Sequence, residues 1–144
     1  MRGVLGISDV VLRDVRELQR QVAAMAELVA TQNTYLIRKL GRRRIPPLYD
    51  SKVVYRVDPA EWDAVADKLG GVLFFPSADE IVRRGWVDCK GAVPYRLADL
   101  RLEHPTLNFG VHTYPRRHGR DVLIHLQVLL PTGEIEDPSR LLHQ

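Results

Sequence analysis

Three residues have side chains that could act together as a thiol nucleophile, its base and an orienting carboxylate: Cys89, His125 and Asp137. Cys89 is the single cysteine of the chain. His125 lies within a strongly patterned segment, and Asp137 follows the tight turn after that segment. In such triads the imidazole takes the proton of the thiol, and the carboxylate holds the ring in its working orientation. The three residue types therefore predict an active site if the fold brings them together.

The segment 121–130 alternates in a way that predicts a β-strand with two different faces. One face is wholly apolar and the other carries His125 and Gln127, so we expect the first to cover the core. Residues 131–133, Pro-Thr-Gly, then predict a three-residue hairpin loop with glycine in the left-handed position. Such a loop places Asp137 opposite Gln127 and diagonally next to His125. A two-residue loop would put Asp137 on the other face.

Each of the three residues also has an ordinary structural interpretation. A lone cysteine is usually a small buried hydrophobic residue, and a strand histidine is often satisfied by a backbone carbonyl. Asp137 stands before Pro138, which makes it a good N-cap for a short helix. The two roles of Asp137 are compatible, because one carboxylate oxygen can cap the helix while the other faces the ring.

The N-terminal part of the chain predicts one long helix over residues 8–40. Ser8 is a good N-cap, and Gly41 followed by Pro46-Pro47 ends the helix. Apolar residues recur at heptad spacing, which predicts a coiled-coil-like seam. The seam consists of Val15, Val22, Val29 and Leu36 at one core position and of Val11, Leu18, Met25 and Gln32 at the other. We expect residues 1–41 to form a homo-oligomer or to dock to a partner; the alternative is that the helix folds back onto its own domain.

The remainder predicts a basic, proline-containing linker at 42–51 and a small α+β domain with an antiparallel sheet at 52–144. The predicted strands are 52–57, 108–114 and 121–130. Three helices are predicted. The first begins after the capping residue Asp58 and ends at Gly70, and the second begins after the capping residue Ser77 and ends at Gly85. The third covers 95–103 and ends at His104. The fold class is therefore α+β, with a long helix in front.

Composition excludes several classes of function. With 45% hydrophobic and 27% charged residues the chain is an ordinary globular protein. No apolar run reaches the roughly 18 residues of a membrane-spanning helix, and the N-terminus lacks the core of a signal peptide. We therefore expect no membrane contact and no secretion by that route. The remaining histidines show no metal-ligand spacing with Cys89, so we expect no metal and no other cofactor.

Basic residues cluster in two places. The first cluster contains Arg38, Lys39, Arg42, Arg43 and Arg44, and the second contains Arg116, Arg117 and Arg120. Neither cluster is interleaved with the aromatic residues that stack on bases. We expect solvated surface, and nucleic-acid binding is an alternative that rests on charge alone.

Several segments in fixed order resemble transglutaminase-like, papain-fold cysteine domains, particularly the short versions encoded in bacteriophage genomes. The matching stretches are 46–56, 83–89 (ending Val-Asp-Cys), 95–101, 122–128 (with His in the strand) and 131–140 (with Asp-Pro-Ser). The resemblance covers about residues 45–143 and leaves the N-terminal helix outside.

The resemblance implies that Cys89 is the nucleophile, His125 the general base and acid, and Asp137 the orienting carboxylate. In that family the cysteine begins a helix that packs against the sheet carrying the other two residues. The implied reaction is attack on an amide carbonyl of a protein or peptide substrate, followed by transfer of the acyl group to water or to an amine. The implied location is the cytoplasm of a host cell or a virion.

Around the cysteine the chain departs from the family pattern. Relatives usually carry Gly-Asp-Cys-Glu-Asp, whereas residues 87–91 read Val-Asp-Cys-Lys-Gly. Pro94 would fall at the sixth position of a helix beginning at Cys89 and would remove one backbone hydrogen bond. Either that helix kinks, or it begins at Pro94 and leaves Cys89 in a loop. Two hypotheses follow: a cysteine amidase, protease or acyltransferase, or an inactive relative that serves as a structural or interaction protein, for example in a virion.

Overall fold

The computed structural model describes residues 15–57, 75–118 and 121–143. After helix α1 (Val15–Leu40) come a 3-10 helix (Leu48–Asp50), strand β1 (Val54–Tyr55), α2 (Ala78–Arg84), β2 (Trp86–Val87) and α3 (Cys89–Glu103). The chain continues with β3 (Gly110–His118), β4 (Asp121–Leu129), β5 (Ile135–Glu136) and α4 (Pro138–Leu141). β1 and β2 pair in parallel, and β3, β4 and β5 form an antiparallel sheet in that order. The predicted α+β class is confirmed.

Helix α1 ends where the sequence predicts. Gly41 adopts a left-handed φ of +87°, and its N–H donates to the carbonyl of Ile37 at 2.8 Å. This is the usual geometry of a glycine that closes a helix. The predicted N-cap Ser8 and the helix expected after Asp58 lie outside the described residues.

One face of α1 packs on the domain itself, against α3 and β3. The buried residues are Leu18, Val22, Ala26, Val29, Ala30, Asn33 and Ile37. Leu18, Val22 and Val29 belong to the predicted seam, but Met25 is 39% exposed and Gln32 is exposed. This stripe follows the 3.6-residue period of a helix on a globular core rather than a heptad seam. The described part of α1 is therefore folded back onto its own domain. Self-association stays a prediction, and it would have to use a different face of α1.

The segment expected to be a linker, 42–51, is anchored on α3. Ile45 and Leu48 are fully buried. The buried carboxylate of Asp99 accepts from Arg42 Nη1 at 2.6 Å and from the Leu48 backbone N–H at 2.7 Å. Its pKa is raised because burial outweighs the opposing effects of those two donors.

Helix α3 occupies the centre of the molecule, and most of its residues from Lys90 to Leu100 are buried. It begins at Cys89, with Asp88 as N-cap, and continues through Pro94 to Glu103. The alternative in which the helix begins at Pro94 is therefore wrong, and the predicted start at residue 95 is too late. Proline removes one backbone hydrogen bond, but α3 is packed on several sides, so tertiary burial overrides the local cost.

Other element boundaries also differ from expectation. The strand predicted at 52–57 is reduced to Val54–Tyr55, and Lys52, with a left-handed φ of 64°, lies outside it. β3 begins at Gly110 and extends to His118, beyond the predicted end at Tyr114. β3 pairs with β4 over its whole length. These cross-strand hydrogen bonds make the strand longer than local propensity predicts.

Candidate active site

The hairpin after β4 has the predicted register. The Leu130 N–H donates to the carbonyl of Glu134 at 2.9 Å, across a loop in which Gly133 has a φ of +91°. Val128 pairs with Glu136, so the next pair along places Asp137 opposite Gln127. The three-residue loop and the face of Asp137 are therefore confirmed.

The imidazole of His125 contacts the carboxylate of Asp137. The distance from Nε2 to Oδ2 is 3.1 Å, and His125 is only 7% exposed. An ionised carboxylate can only accept, so the neutral ring carries its proton on Nε2. This leaves the Nδ1 lone pair for a proton acceptor role.

Asp137 has both of the roles that the sequence leaves compatible. Oδ1 accepts from the Ser139 backbone N–H at 3.0 Å and from the Ser139 hydroxyl at 2.7 Å, while Oδ2 faces His125. Burial raises the pKa of Asp137, but the hydrogen bonds from Ser139, Gln127 and His125 outweigh it and lower the pKa below its usual value. The carboxylate is thus held in its ionised form.

An ion pair anchors β5, the strand directly before Asp137. Glu136 accepts from Arg96 Nε at 2.7 Å and from Arg96 Nη2 at 3.3 Å. It also accepts from the Tyr49 hydroxyl at 2.8 Å, and the Arg96 guanidinium lies 4.5 Å from the centre of the Tyr49 ring. Bidentate arginine–carboxylate geometry is directional, so these contacts tie β5 to α3.

Cys89 is the first residue of α3 and is partly buried. Its side chain packs against the apolar cluster that includes Ile124 and Leu126 of β4. Burial is the main reason that the pKa of the thiol is raised to about 11; Lys90 and the Leu126 backbone oppose the rise, and Asp88 and Asp137 add to it. The thiol therefore lies beside the strand position that follows His125, within electrostatic range of Asp137.

The described hydrogen bonds join His125 to Asp137 but include none between the Cys89 sulfur and the imidazole. Two of the three predicted residues are therefore in direct contact, and the thiol of Cys89 meets the backbone of Leu126, the residue after His125. Such contacts often tighten only when substrate binds.

Tyr55 is a site residue that the sequence reasoning did not single out. The backbone N–H of Cys89 is directed at its hydroxyl oxygen, and burial together with the charges of Cys89, Asp88 and Asp137 raises the pKa of the phenol. Tyr55 reaches this position because β1 pairs with β2, directly before Cys89. The available signal was its place in the stretch 46–56, which resembles the family.

Lys90 and Gly91, at which the sequence differs from the transglutaminase-like pattern, have structural roles. Lys90 is buried and forms an ion pair with Asp88, and burial lowers the pKa of its ammonium group. A Cβ atom on Gly91 would lie 2.5 Å from Val87 Cγ2 and 2.9 Å from Ile81 Cδ1. A side chain at Gly91 would force these neighbours to shift, because α3 passes close to β2 and α2.

The basic clusters differ in their surroundings. Arg38, Lys39, Arg43, Arg44 and Arg116 are exposed, as expected of solvated surface, whereas Arg42 pairs with Asp99. Among the described residues, no group of three or more histidine, cysteine, aspartate or glutamate side chains could hold a metal ion. The described helices include none that is long and apolar enough to cross a membrane.

Comparisons with known proteins do not assign a family. A scan against protein-family models found no match to the sequence, and searches of the curated proteins and of the solved structures found none either. The resemblance to transglutaminase-like domains therefore stays a prediction.

Proposed function

We propose that the protein is a transglutaminase-like cysteine amidase, protease or acyltransferase that acts on a protein or peptide amide. The observation that carries this proposal is the His125 Nε2 to Asp137 Oδ2 contact of 3.1 Å, on the strand whose next residue, Leu126, meets the Cys89 thiol through its backbone at the start of α3. A buried, oriented imidazole next to a thiol is the arrangement that nucleophilic catalysis requires.

The raised pKa of Cys89 decides how the thiol would be activated. With a pKa of about 11 the resting group is a thiol and not a thiolate. His125 therefore acts as a general base during the attack, taking the thiol proton on Nδ1 as the sulfur bonds to the carbonyl carbon. The C–N bond then breaks, and the imidazolium gives the proton to the leaving amine.

The resulting thioester is resolved by the same groups. Water or an amine attacks the thioester carbon while His125 accepts its proton. The C–S bond then breaks, and the imidazolium gives the proton to the departing sulfur, which regenerates the thiol. The proposed donor to the oxyanion is the Tyr55 hydroxyl, whose oxygen accepts from the Cys89 backbone N–H.

An activated ester tests the proposal without knowledge of the natural substrate. We expect p-nitrophenyl acetate to release a burst of nitrophenol equal to the protein concentration, with one acetyl group on Cys89 by intact mass. Cys89→Ala should abolish the burst and His125→Ala should slow it at least about tenfold. The control is His104→Ala, because His104 is exposed and belongs to another surface. A wild-type rate equal to that of Cys89→Ala would reject the enzyme.

A second proposal is that the protein is an inactive relative that serves as a structural or interaction protein, for example in a virion. It is favoured by the partly buried thiol with its raised pKa and by an exposed stripe on α1. Met25 (39% exposed), Leu28 (67%) and Tyr35 (59%) recur there at heptad spacing.

Sedimentation of the full chain tests this second proposal. Leu28→Glu and Tyr35→Glu should convert an oligomer to a monomer without lowering the thermal midpoint, because neither side chain is buried. Arg43→Glu, at another exposed position, is the control. A wild-type monomer at all concentrations would reject self-association.

A further inference from the structure

The carboxylate of Asp137 has a fourth partner besides His125 and the two groups of Ser139. Gln127 Nε2 donates to Oδ2 at 3.0 Å, the same oxygen that faces the imidazole. An ionised carboxylate offers about four lone-pair sites. The groups named here use all of them, so the carboxylate has one orientation in which every site is occupied.

The orientation of the Gln127 amide is itself determined by its two neighbours. Its Nε2 must face Asp137, because an ionised carboxylate only accepts. Its Oε1 therefore faces His112 Nδ1, at 3.1 Å. For this contact to be a hydrogen bond, His112 must carry a proton on Nδ1.

Strand β3 supplies a polar or aromatic partner directly opposite both His125 and Gln127 of β4. His112 pairs with Gln127, and Tyr114 pairs with His125. The Tyr114 ring meets the His125 imidazole edge-on, with 5.2 Å between the ring centres. The polar face of the sheet is therefore a continuous set of cross-strand contacts that ends at the candidate site.

We propose that Gln127 and His112 are positioning residues for this site. Gln127 holds the Asp137 carboxylate in the orientation that keeps the His125 proton on Nε2, and His112 keeps the Gln127 amide from turning over. This inference rests on the proposed function, because it is the free Nδ1 of His125 that would accept the thiol proton. The two histidines must then have opposite neutral tautomers, Nδ1–H for His112 and Nε2–H for His125.

Nitrogen NMR of the histidine rings in the full chain tests this without any substrate. In the wild type we expect the two opposite tautomers. Gln127→Met keeps the length of the side chain but removes both hydrogen bonds. It should release His112 into a mixture of tautomers and broaden or shift the His125 ring signals. Gln19→Met is the matched control, because Gln19 bonds to Thr113 of β3 and not to the site.

The nitrophenyl ester burst gives a second readout. Loss of alignment should slow the burst about 10- to 100-fold in Gln127→Met. His112→Ala should slow it less, and His112→Asn should restore it, because an asparagine amide can donate from nearly the position of Nδ1. If His112 had only a structural role, His112→Asn would not restore the burst rate that His112→Ala loses while the thermal stability of the two variants stays the same.

The outcomes separate this inference from the proposed function. An Nε2–H tautomer of His112 in the wild type would overturn the positioning role. So would a Gln127→Met variant whose burst rate and His125 ring signals equal those of the wild type. If the tautomers respond as expected but the wild type shows no burst, the positioning network stands and the enzymatic proposal fails. Gln127→Glu repeats the test with a side chain of the same shape. Its carboxylate can still accept from His112, but an ionised carboxylate cannot donate to Asp137.

Discussion

His125 and Asp137 are twelve residues apart in sequence, and their side chains meet at 3.1 Å because the intervening loop contains three residues. The loop returns the chain so that Asp137 lies diagonally across from His125 on the same face of the sheet. One residue fewer would turn Asp137 to the opposite face. The candidate site thus depends on the length of a turn as well as on the residue types.

Asp137→Asn should lower stability at neutral pH and have little effect in acid. The folded state lowers the pKa of Asp137 below its ordinary value of 3.8, so ionisation stabilises the fold above that value, and the gain is lost as pH falls through the folded pKa. Asparagine remains a good N-cap, so the helix cap itself is kept. Chemical denaturation across the acid range measures the difference, and a difference independent of pH would contradict the assignment.

The reactivity of Cys89 should increase steeply with pH. With a thiol pKa of about 11, the thiolate fraction and hence the iodoacetamide rate should rise about tenfold per pH unit between about 7 and 10. Intact mass suffices as the readout, because the chain has one cysteine. A rate that is already at its plateau near neutral pH would instead indicate a preformed thiolate–imidazolium pair.

Arg42→Met should destabilise the protein by about 3 kcal/mol at neutral pH, because it leaves the buried carboxylate of Asp99 without its cation. The loss should shrink in acid, because the pKa of Asp99 is already raised by burial and protonation removes the uncompensated charge. Arg43→Met, at the exposed neighbouring position, is the control and should change the free energy of unfolding by less than about 0.5 kcal/mol. Equal effects of the two variants would contradict the prediction.

Gly91→Ala should destabilise the protein by about 1–3 kcal/mol, although alanine favours helices, because its Cβ would overlap Val87 and Ile81. Gly110→Ala is the matched control, since the nearest atom to a Cβ there is 3.9 Å away. Denaturant unfolding of both variants measures the difference. A stabilised Gly91→Ala would show that α3 can move away from β2.

The sequence by itself determined the features that depend on short-range rules. Alternation predicted the buried and polar faces of β4, and the Pro-Thr-Gly turn predicted the register that joins Asp137 to His125. The same reasoning predicted that one oxygen of Asp137 caps α4 while the other faces the ring. These features were predictable because turn geometry, strand period and capping involve residues close together along the chain.

Only the tertiary structure decided the features that depend on contacts between distant segments. The heptad spacing of α1 could not show which face would be covered, because a domain core and a second helix select similar apolar stripes. Pro94 lies inside α3 because packing on several sides outweighs a local penalty, and Gly91 is required by neighbours that no periodicity reveals. Tyr55 lies beside Cys89 because β1 pairs with β2 from a distant part of the chain. His112 lies opposite Gln127 because of the register in which β3 pairs with β4.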